Sequence, residues 1–77
     1  MPDLVQIIAR ILQLDTKEIT SELAIHETPT WNSLSHIELI VSIEEEFDLE
    51  LTGDEIVAMT SVDNIRRTLS LRGVITD

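Results

Sequence analysis

The side chain best suited to chemistry in this sequence is the hydroxyl of Ser33, in the run Trp31-Asn32-Ser33-Leu34. It follows the turn-like stretch Thr28-Pro29-Thr30 and precedes an amphipathic run, so we expect it at the N-terminus of a helix. The first amides of a helix have no intrahelical partner, and the helix dipole adds partial positive charge there. An exposed hydroxyl at such an end favours a phosphate group. Serine is also a common helix cap, so its position alone does not establish chemistry.

The remaining reactive side chains do not assemble into a catalytic or metal-binding pattern. His26 and His36 are ten residues apart and the chain has no cysteine, so no metal-ligand spacing emerges. We expect His36, in the first turn of the helix, to be a surface or partner contact. Its spacing from Ser33 provides no oriented base and acid pair. We therefore expect no metal and no enzyme activity.

Hydrophobic spacing predicts four helices that position Ser33. Their expected bounds are about Asp3 to Leu14, about Ser33 to Phe47, a short helix that ends near Ala58 or Met59, and about Val62 to Arg72. The apolar surface of the second helix is wider than a surface helix needs. It combines two sets of residues, Leu39, Ile40, Ile43 and Phe47 on one side and Leu34, Ile37 and Val41 at its edge.

Polar residues mark the ends of these helices. Asn32 is a plausible N-cap of the second helix, and Thr52 with Glu55 fits a capping box for the third. Ser61 caps the fourth helix, and Gly73 stops it. The sequence therefore predicts an all-α fold, a small bundle of three main helices plus one short helix, as a single domain of residues 1–77.

A long connection separates the first two predicted helices. Its apolar residues Ile19, Leu23 and Ile25 are expected to anchor it across the bundle, with a single helical turn within it. A loop of this length in a small domain is unusual unless it has a function. We therefore expect this connection, which we call the strap, to be ordered and to fix the position of Ser33.

The charge distribution excludes nucleic acid as a partner and favours proteins with basic patches. Net charge is −10, and twelve acidic residues but no Lys or Arg lie between Lys17 and Arg66. A solvated acidic face that maintains solubility is the simpler explanation of the same pattern. No apolar run has membrane-spanning length, and the start Met1-Pro2-Asp3 lacks the basic residues of a signal peptide. We expect no membrane association and a cytoplasmic location.

The run from Asn32-Ser33-Leu34 through Glu38-Leu39 to Glu44-Glu45-Glu46-Phe47 resembles the acyl carrier proteins. In that family the matching serine carries a covalent 4′-phosphopantetheine arm, taken from coenzyme A by a phosphopantetheinyl transferase. The resemblance covers nearly the whole chain. It implies that Ser33 is the attachment site, in a free-standing carrier of thioester-bound acyl groups that acts as a monomer. Asn32 replaces the usual Asp and the usual Gly before the motif is missing, which favours specialised or polyketide-like secondary metabolism over housekeeping fatty-acid synthesis.

The resemblance also implies a docking face and an acyl-binding interior. The docking face would meet acyl-transferring or synthase enzymes with basic patches, through Leu34, Glu38, Val41, Glu44, Glu45 and Ile56. The interior would be lined by Ile37, Ile40, Ile56, Met59 and Ile65, although core packing is the simpler role for most of them. Trp31 either packs the loop against the second helix or contacts a partner or the arm.

Two alternatives stay open at this point. An aminoacyl or peptidyl carrier has the same general design. Only the acid-rich second helix favours an acyl group as the cargo. An unmodified acidic helical module that binds a basic protein explains the charge and the fold. It leaves an exposed Ser33 at a helix start without a role.

Overall fold

The structure is a computed structural model that describes residues 3–75. It contains helices α1 (Leu4–Leu12), α2 (Ser33–Phe47), α3 (Gly53–Ala58) and α4 (Val62–Leu71), and a 3₁₀ turn at Thr16–Glu18. The predicted all-α bundle of three main helices and one short helix is therefore confirmed. Met1 and Pro2, on which the expectation of no signal peptide depended, lie outside the described residues. Within residues 3–75, no helix is both long enough and apolar enough to cross a bilayer.

Helix α1 ends two residues earlier than predicted. Gln13 adopts a left-handed conformation with φ 58°, and the Leu14 amide donates back to the Ala9 carbonyl at 2.9 Å. These contacts close the last turn of the helix, as at many helix C-termini. The side of α1 that faces the bundle is buried through Ile7, Ile8, Ala9 and Leu12.

Helix α2 has the predicted bounds, because both of its ends are determined by neighbouring residues. Asn32 caps its start, and Asp48 ends it in a left-handed conformation with φ 52°. Leu39, Ile40 and Ile43 are buried in the core from the middle of the helix. The first residue of α2, Ser33, is therefore held at one end of a helix that is fixed along its length.

The connection between α1 and α2 is an ordered strap, as expected, and its helical turn lies at Thr16–Glu18. Backbone hydrogen bonds join it to the junction of α3 and α4. The Ile25 amide donates to the Thr60 carbonyl at 2.9 Å, and the Val62 amide donates to the Leu23 carbonyl at 3.0 Å. Ile19, Leu23 and Ile25 also pack against the core. The strap thus fixes the position of the loop that leads into Ser33.

The core is formed by large side chains from α1, α2, α4 and the loops. The largest with almost no exposed surface are Trp31, Ile8, Leu12, Leu39, Ile43, Met59, Ile65, Leu69 and Val62. Burying one such aliphatic side chain contributes about 1.5–3 kcal/mol. Helix α3, in contrast, contains no fully buried residue. It is therefore the least firmly packed of the four helices.

The predicted caps of the last two helices are present. Thr52 and Glu55 form a reciprocal capping box at the start of α3, and the Ser61 side chain accepts from the Asn64 amide at the start of α4. Helix α4 ends at Leu71, and Gly73 follows with φ +75°, a conformation that glycine adopts without strain. Within residues 3–75 the only pairing of β type is an isolated bridge between Ala24 and Ser61.

Candidate functional site

Ser33 is exposed at the first position of α2, and its neighbours hold the start of the helix rigidly. The Asn32 side-chain oxygen accepts hydrogen bonds from the amides of Leu34 at 3.0 Å and Ser35 at 3.1 Å. In return, the Asn32 amide donates to the Ser35 hydroxyl oxygen at 2.9 Å. The expectation of free amides beside Ser33 is therefore wrong for these two groups. What remains to favour a phosphate is the positive end of the α2 dipole.

The loop before Ser33 is closed by further hydrogen bonds. The Ser35 hydroxyl donates to the Thr30 carbonyl at 2.7 Å, and the Trp31 amide donates to the Thr28 carbonyl at 2.9 Å. The His26 amide donates to the Trp31 carbonyl at 2.9 Å. Each bond ties the loop to itself or to the first turn of α2. The Ser33 hydroxyl is consequently presented from a fixed frame.

Trp31 and His36 lie inside the protein rather than on its surface. Trp31 is 0% exposed and His36 is 8% exposed. The Trp31 Nε1–H donates to His36 Nδ1 at 3.1 Å, and the two rings stack with centroids 6.1 Å apart. The interpretation of Trp31 as a partner or arm contact is therefore wrong, because its indole packs in the core. The expectation that His36 is a surface or partner contact is also wrong, because its imidazole is buried.

An open groove of about 380 Å³ lies beside Ser33 between α2 and α3. Its lining consists of Ile25, His26, Ser33, His36, Ile37, Ile56, Val57 and Thr60. The exposed surface of the groove is mostly apolar, and its polar groups belong to His26, Ser33, His36 and Thr60. A flexible group attached at Ser33 would therefore have an apolar surface directly within reach.

The residues predicted to line an acyl cavity divide into two groups. Ile37 is 55% exposed and lines the open groove, so its placement in an interior cavity is wrong. Ile40, Met59 and Ile65 are buried within the hydrophobic core, in line with the simpler packing role. Ile56 is partly buried and lines the groove.

The outer surface of α2 and α3 combines exposed aliphatic and acidic side chains. Leu34 and Val41 on α2 are exposed, as are Glu38 and Glu45. Val57 on α3, which sequence reasoning missed, is 74% exposed and lines the groove beside Ser33. The sequence offered little signal for it, because the hydrophobicity of Ile56 and Val57 does not reveal which of the two faces outward.

Glu44, one of the acidic residues expected on the docking face, has an internal partner. One of its carboxylate oxygens accepts a hydrogen bond from the Leu51 amide at 2.9 Å. Leu51 is buried, so this bond satisfies an amide near the core and holds the loop between α2 and α3. Glu44 thus has a structural role whatever its contribution to docking.

Comparison with known proteins agrees with this geometry. Residues 2–69 match the profile of the family described as "Phosphopantetheine attachment site". An acyl carrier protein of Buchnera aphidicola subsp. Baizongia pistaciae is 42% identical over 60 residues, which cover 78% of this chain and 77% of the relative. The acyl carrier protein of Clostridium acetobutylicum is 37% identical over 59 residues, or 77% of each chain. A third, from Buchnera aphidicola subsp. Schizaphis graminum, is 32% identical over 57 residues, 74% of this chain and 72% of that protein.

Members of the matched family carry 4′-phosphopantetheine as a covalent group, and the helical bundle with an exposed hydroxyl above an apolar groove suits such a group. The extent of the profile match and the identity to three acyl carrier proteins show that this chain belongs to the phosphopantetheine-binding acyl carrier protein family.

Proposed function

We propose that Ser33 carries the 4′-phosphopantetheine arm and that the chain transfers thioester-bound acyl groups between enzymes. The exposure of Ser33 at the start of α2, on the edge of an apolar groove, is the observation that supports this assignment most directly. Attachment would join the Ser33 oxygen to the phosphate of the arm as a phosphodiester, with release of the hydroxyl proton and of the nucleotide part of coenzyme A. The thiol of the bound arm supplies the thioester chemistry.

The protein's own residues contribute position and recognition in this proposal. Asn32 and Ser35 fix the first turn of α2, so the backbone that carries the exposed Ser33 is held in place. The positive end of the helix dipole favours the phosphate of the arm. The aliphatic side chains of Ile37 and Ile56 offer an apolar surface for the attached group.

The outer surface of α2 suits partners that combine apolar contacts with positive charge. Leu34 and Val41 are exposed apolar residues on the same helix as the exposed carboxylates of Glu38 and Glu45. A charged rim increases the rate of association with a complementary patch, and the apolar centre contributes affinity. The proposed partners are the phosphopantetheinyl transferase and acyl-transferring or synthase enzymes with basic docking patches.

The cargo is proposed to be acyl rather than aminoacyl or peptidyl. The three relatives described above are named acyl carrier proteins, which supports the acyl assignment. Asn32 in place of Asp and the missing Gly before the motif support a specialised pathway over general fatty-acid synthesis. Loading of the thiol by an acyltransferase but not by an amino-acid-activating enzyme would separate the two kinds of carrier.

The attachment site is tested by intact mass spectrometry after incubation with coenzyme A and a broad-range phosphopantetheinyl transferase. The wild type is expected to gain the mass of one arm, and Ser33→Ala is expected to gain none. Ser42→Ala, on the same helix but away from its start, is the matched control and should load like the wild type. Loading of Ser33→Ala would overturn the assignment to Ser33. No loading of the wild type would favour the unmodified interaction module.

A further inference from the structure

Helix α3 forms one wall of the groove but has few means of holding its place. It is six residues long and none of its residues is fully buried. At its start, Glu55 pairs with Arg72 at 3.1 Å. Farther along, Ile56 and Val57 line the groove, and Ile56 is partly buried. A short helix with so little buried surface belongs to the least stable parts of a domain.

A chain of two hydrogen bonds connects α3 to the loop that precedes Ser33. The indole Nε1–H of Trp31 can only donate, so Nδ1 of His36 accepts this bond, at 3.1 Å. The ring proton of His36 is then on Nε2, which donates to the Ile56 carbonyl at 3.0 Å. We call Trp31, His36 and the Ile56 carbonyl the latch. It joins the loop, the first turns of α2 and the last turn of α3.

The latch crosses the groove from one wall to the other. His36 lies on α2 and Ile56 on α3, and both line the groove, so the bond between them joins the two helices that flank it. His36 is 8% exposed, and Trp31, behind it, is 0% exposed. A group that passes from the groove into the core between these two residues would have to separate them. Separation would break the bond between His36 and the Ile56 carbonyl, which still accepts from the Met59 amide at 3.3 Å. Movement of the His36 ring would also leave the buried indole N–H of Trp31 without its acceptor, which is unfavourable.

We propose that the latch closes the base of the groove and makes His36 the residue that limits the length of the attached group. Short thioester-bound groups lie in the groove against Ile37 and Ile56. The alkyl part of a longer group stays outside the core as long as the latch is closed. This limit on length depends on attachment at Ser33. The mechanical role of the latch, which is to hold α3 against α2, does not depend on it.

The mechanical role is tested on the unmodified protein by amide hydrogen exchange. His36→Leu removes both hydrogen bonds of the latch, and Trp31→Phe removes one while it keeps an aromatic ring in the core. We expect the α3 amides of Ile56 and Val57 to exchange about tenfold faster in His36→Leu. Trp31→Phe should give a smaller increase, and it serves as the informative variant if His36→Leu does not fold.

Two controls separate the latch from a general loss of stability. The Leu69 amide in the buried part of α4 reports global opening, so in Trp31→Phe and His36→Leu the α3 amides should accelerate more than the Leu69 amide does. His26→Asn replaces the other imidazole of the groove, which is exposed, and asparagine tolerates the φ of 67° at this position. It should leave α3 exchange unchanged. Unchanged α3 exchange in both latch variants would overturn the proposal.

The length limit is tested by methyl and backbone NMR on protein loaded with butyryl or octanoyl groups. In the wild type, shift changes from either group should be confined to groove residues such as Ile37. In the latch variants, octanoyl should also shift the core residues Ile40 and Met59. Octanoyl shifts at Ile40 and Met59 in the wild type would overturn the limit. If Ser33 accepts no arm, the proposed function and the length limit fail together, and the exchange experiment alone decides whether the latch exists.

Discussion

The capping interactions of Asn32 lead to a prediction for both stability and modification. Asn32→Ala removes the oxygen that accepts from the Leu34 and Ser35 amides at 3.0 and 3.1 Å. Loss of an N-cap side chain destabilises proteins by about 0.5–2 kcal/mol. Because two amides lose their acceptor here, we expect about 1–2 kcal/mol, a substantial fraction of the stability of a small domain. For a domain of this size the midpoint of thermal unfolding should fall by about 5–10 °C.

Asn32→Asp tests the effect of a negative charge at this position while the capping hydrogen bonds are kept. Aspartate retains the acceptor, and a negative charge at a helix start contributes about 0.3–1 kcal/mol through the dipole. Repulsion within a chain of net charge −10 opposes this gain. We therefore expect a thermal midpoint within about 2 °C of the wild type. Because the added charge lies next to Ser33, loading of the arm should be as fast as in the wild type or faster.

Both variants are followed by circular dichroism during thermal and urea unfolding, and by a mass-spectrometric time course of loading. The reasoning is refuted if Asn32→Ala keeps the wild-type midpoint, or if Asn32→Asp is as unstable as Asn32→Ala. Slower loading of Asn32→Asp would show that charge next to Ser33 does not assist the transferase. A urea series with an unchanged slope would confirm that the difference is one of stability.

The acidic residues of α2 provide two further predictions. Glu38→Lys should slow loading by the transferase several-fold at low salt, with a smaller difference at high salt and an unchanged thermal midpoint; an unaffected rate would remove Glu38 from the docking surface. Glu44→Ala should lower the free energy of unfolding in urea by about 1–2 kcal/mol, because the Leu51 amide loses its partner. The matched change Glu45→Ala, on the exposed surface, should stay within about 0.5 kcal/mol, and equal effects at the two positions would contradict the role given to Glu44.

The sequence by itself determined the features that depend on residues close together in the chain. The start of α2 follows from Asn32, and the cap of α3 follows from Thr52 and Glu55. Each cap is completed by partners within three residues. Such interactions are short in sequence and specific in residue type, so they can be read before the fold is known. The position of Ser33 at the start of α2 was predictable for this reason.

Tertiary structure decided which side chains of the wide apolar surface of α2 are buried. Leu39, Ile40 and Ile43 pack in the core, whereas Ile37 and Val41 are about half exposed. The hydrophobicity of these residues is similar, so only the positions of the neighbouring helices distinguish them. The hydrogen bond from the Leu51 amide to the Glu44 carboxylate likewise depends on how the loop after α2 folds back.

The burial of Trp31 and His36 was also decided by tertiary structure. Indole and imidazole rings are found both in interiors and on surfaces, and the sequence around them is compatible with either. Here the Ile56 carbonyl, twenty residues from His36, completes a chain of hydrogen bonds that makes burial of both polar rings favourable. A buried polar group is stable only when its partner is in place, and this partner is supplied by the packing of α3 against α2.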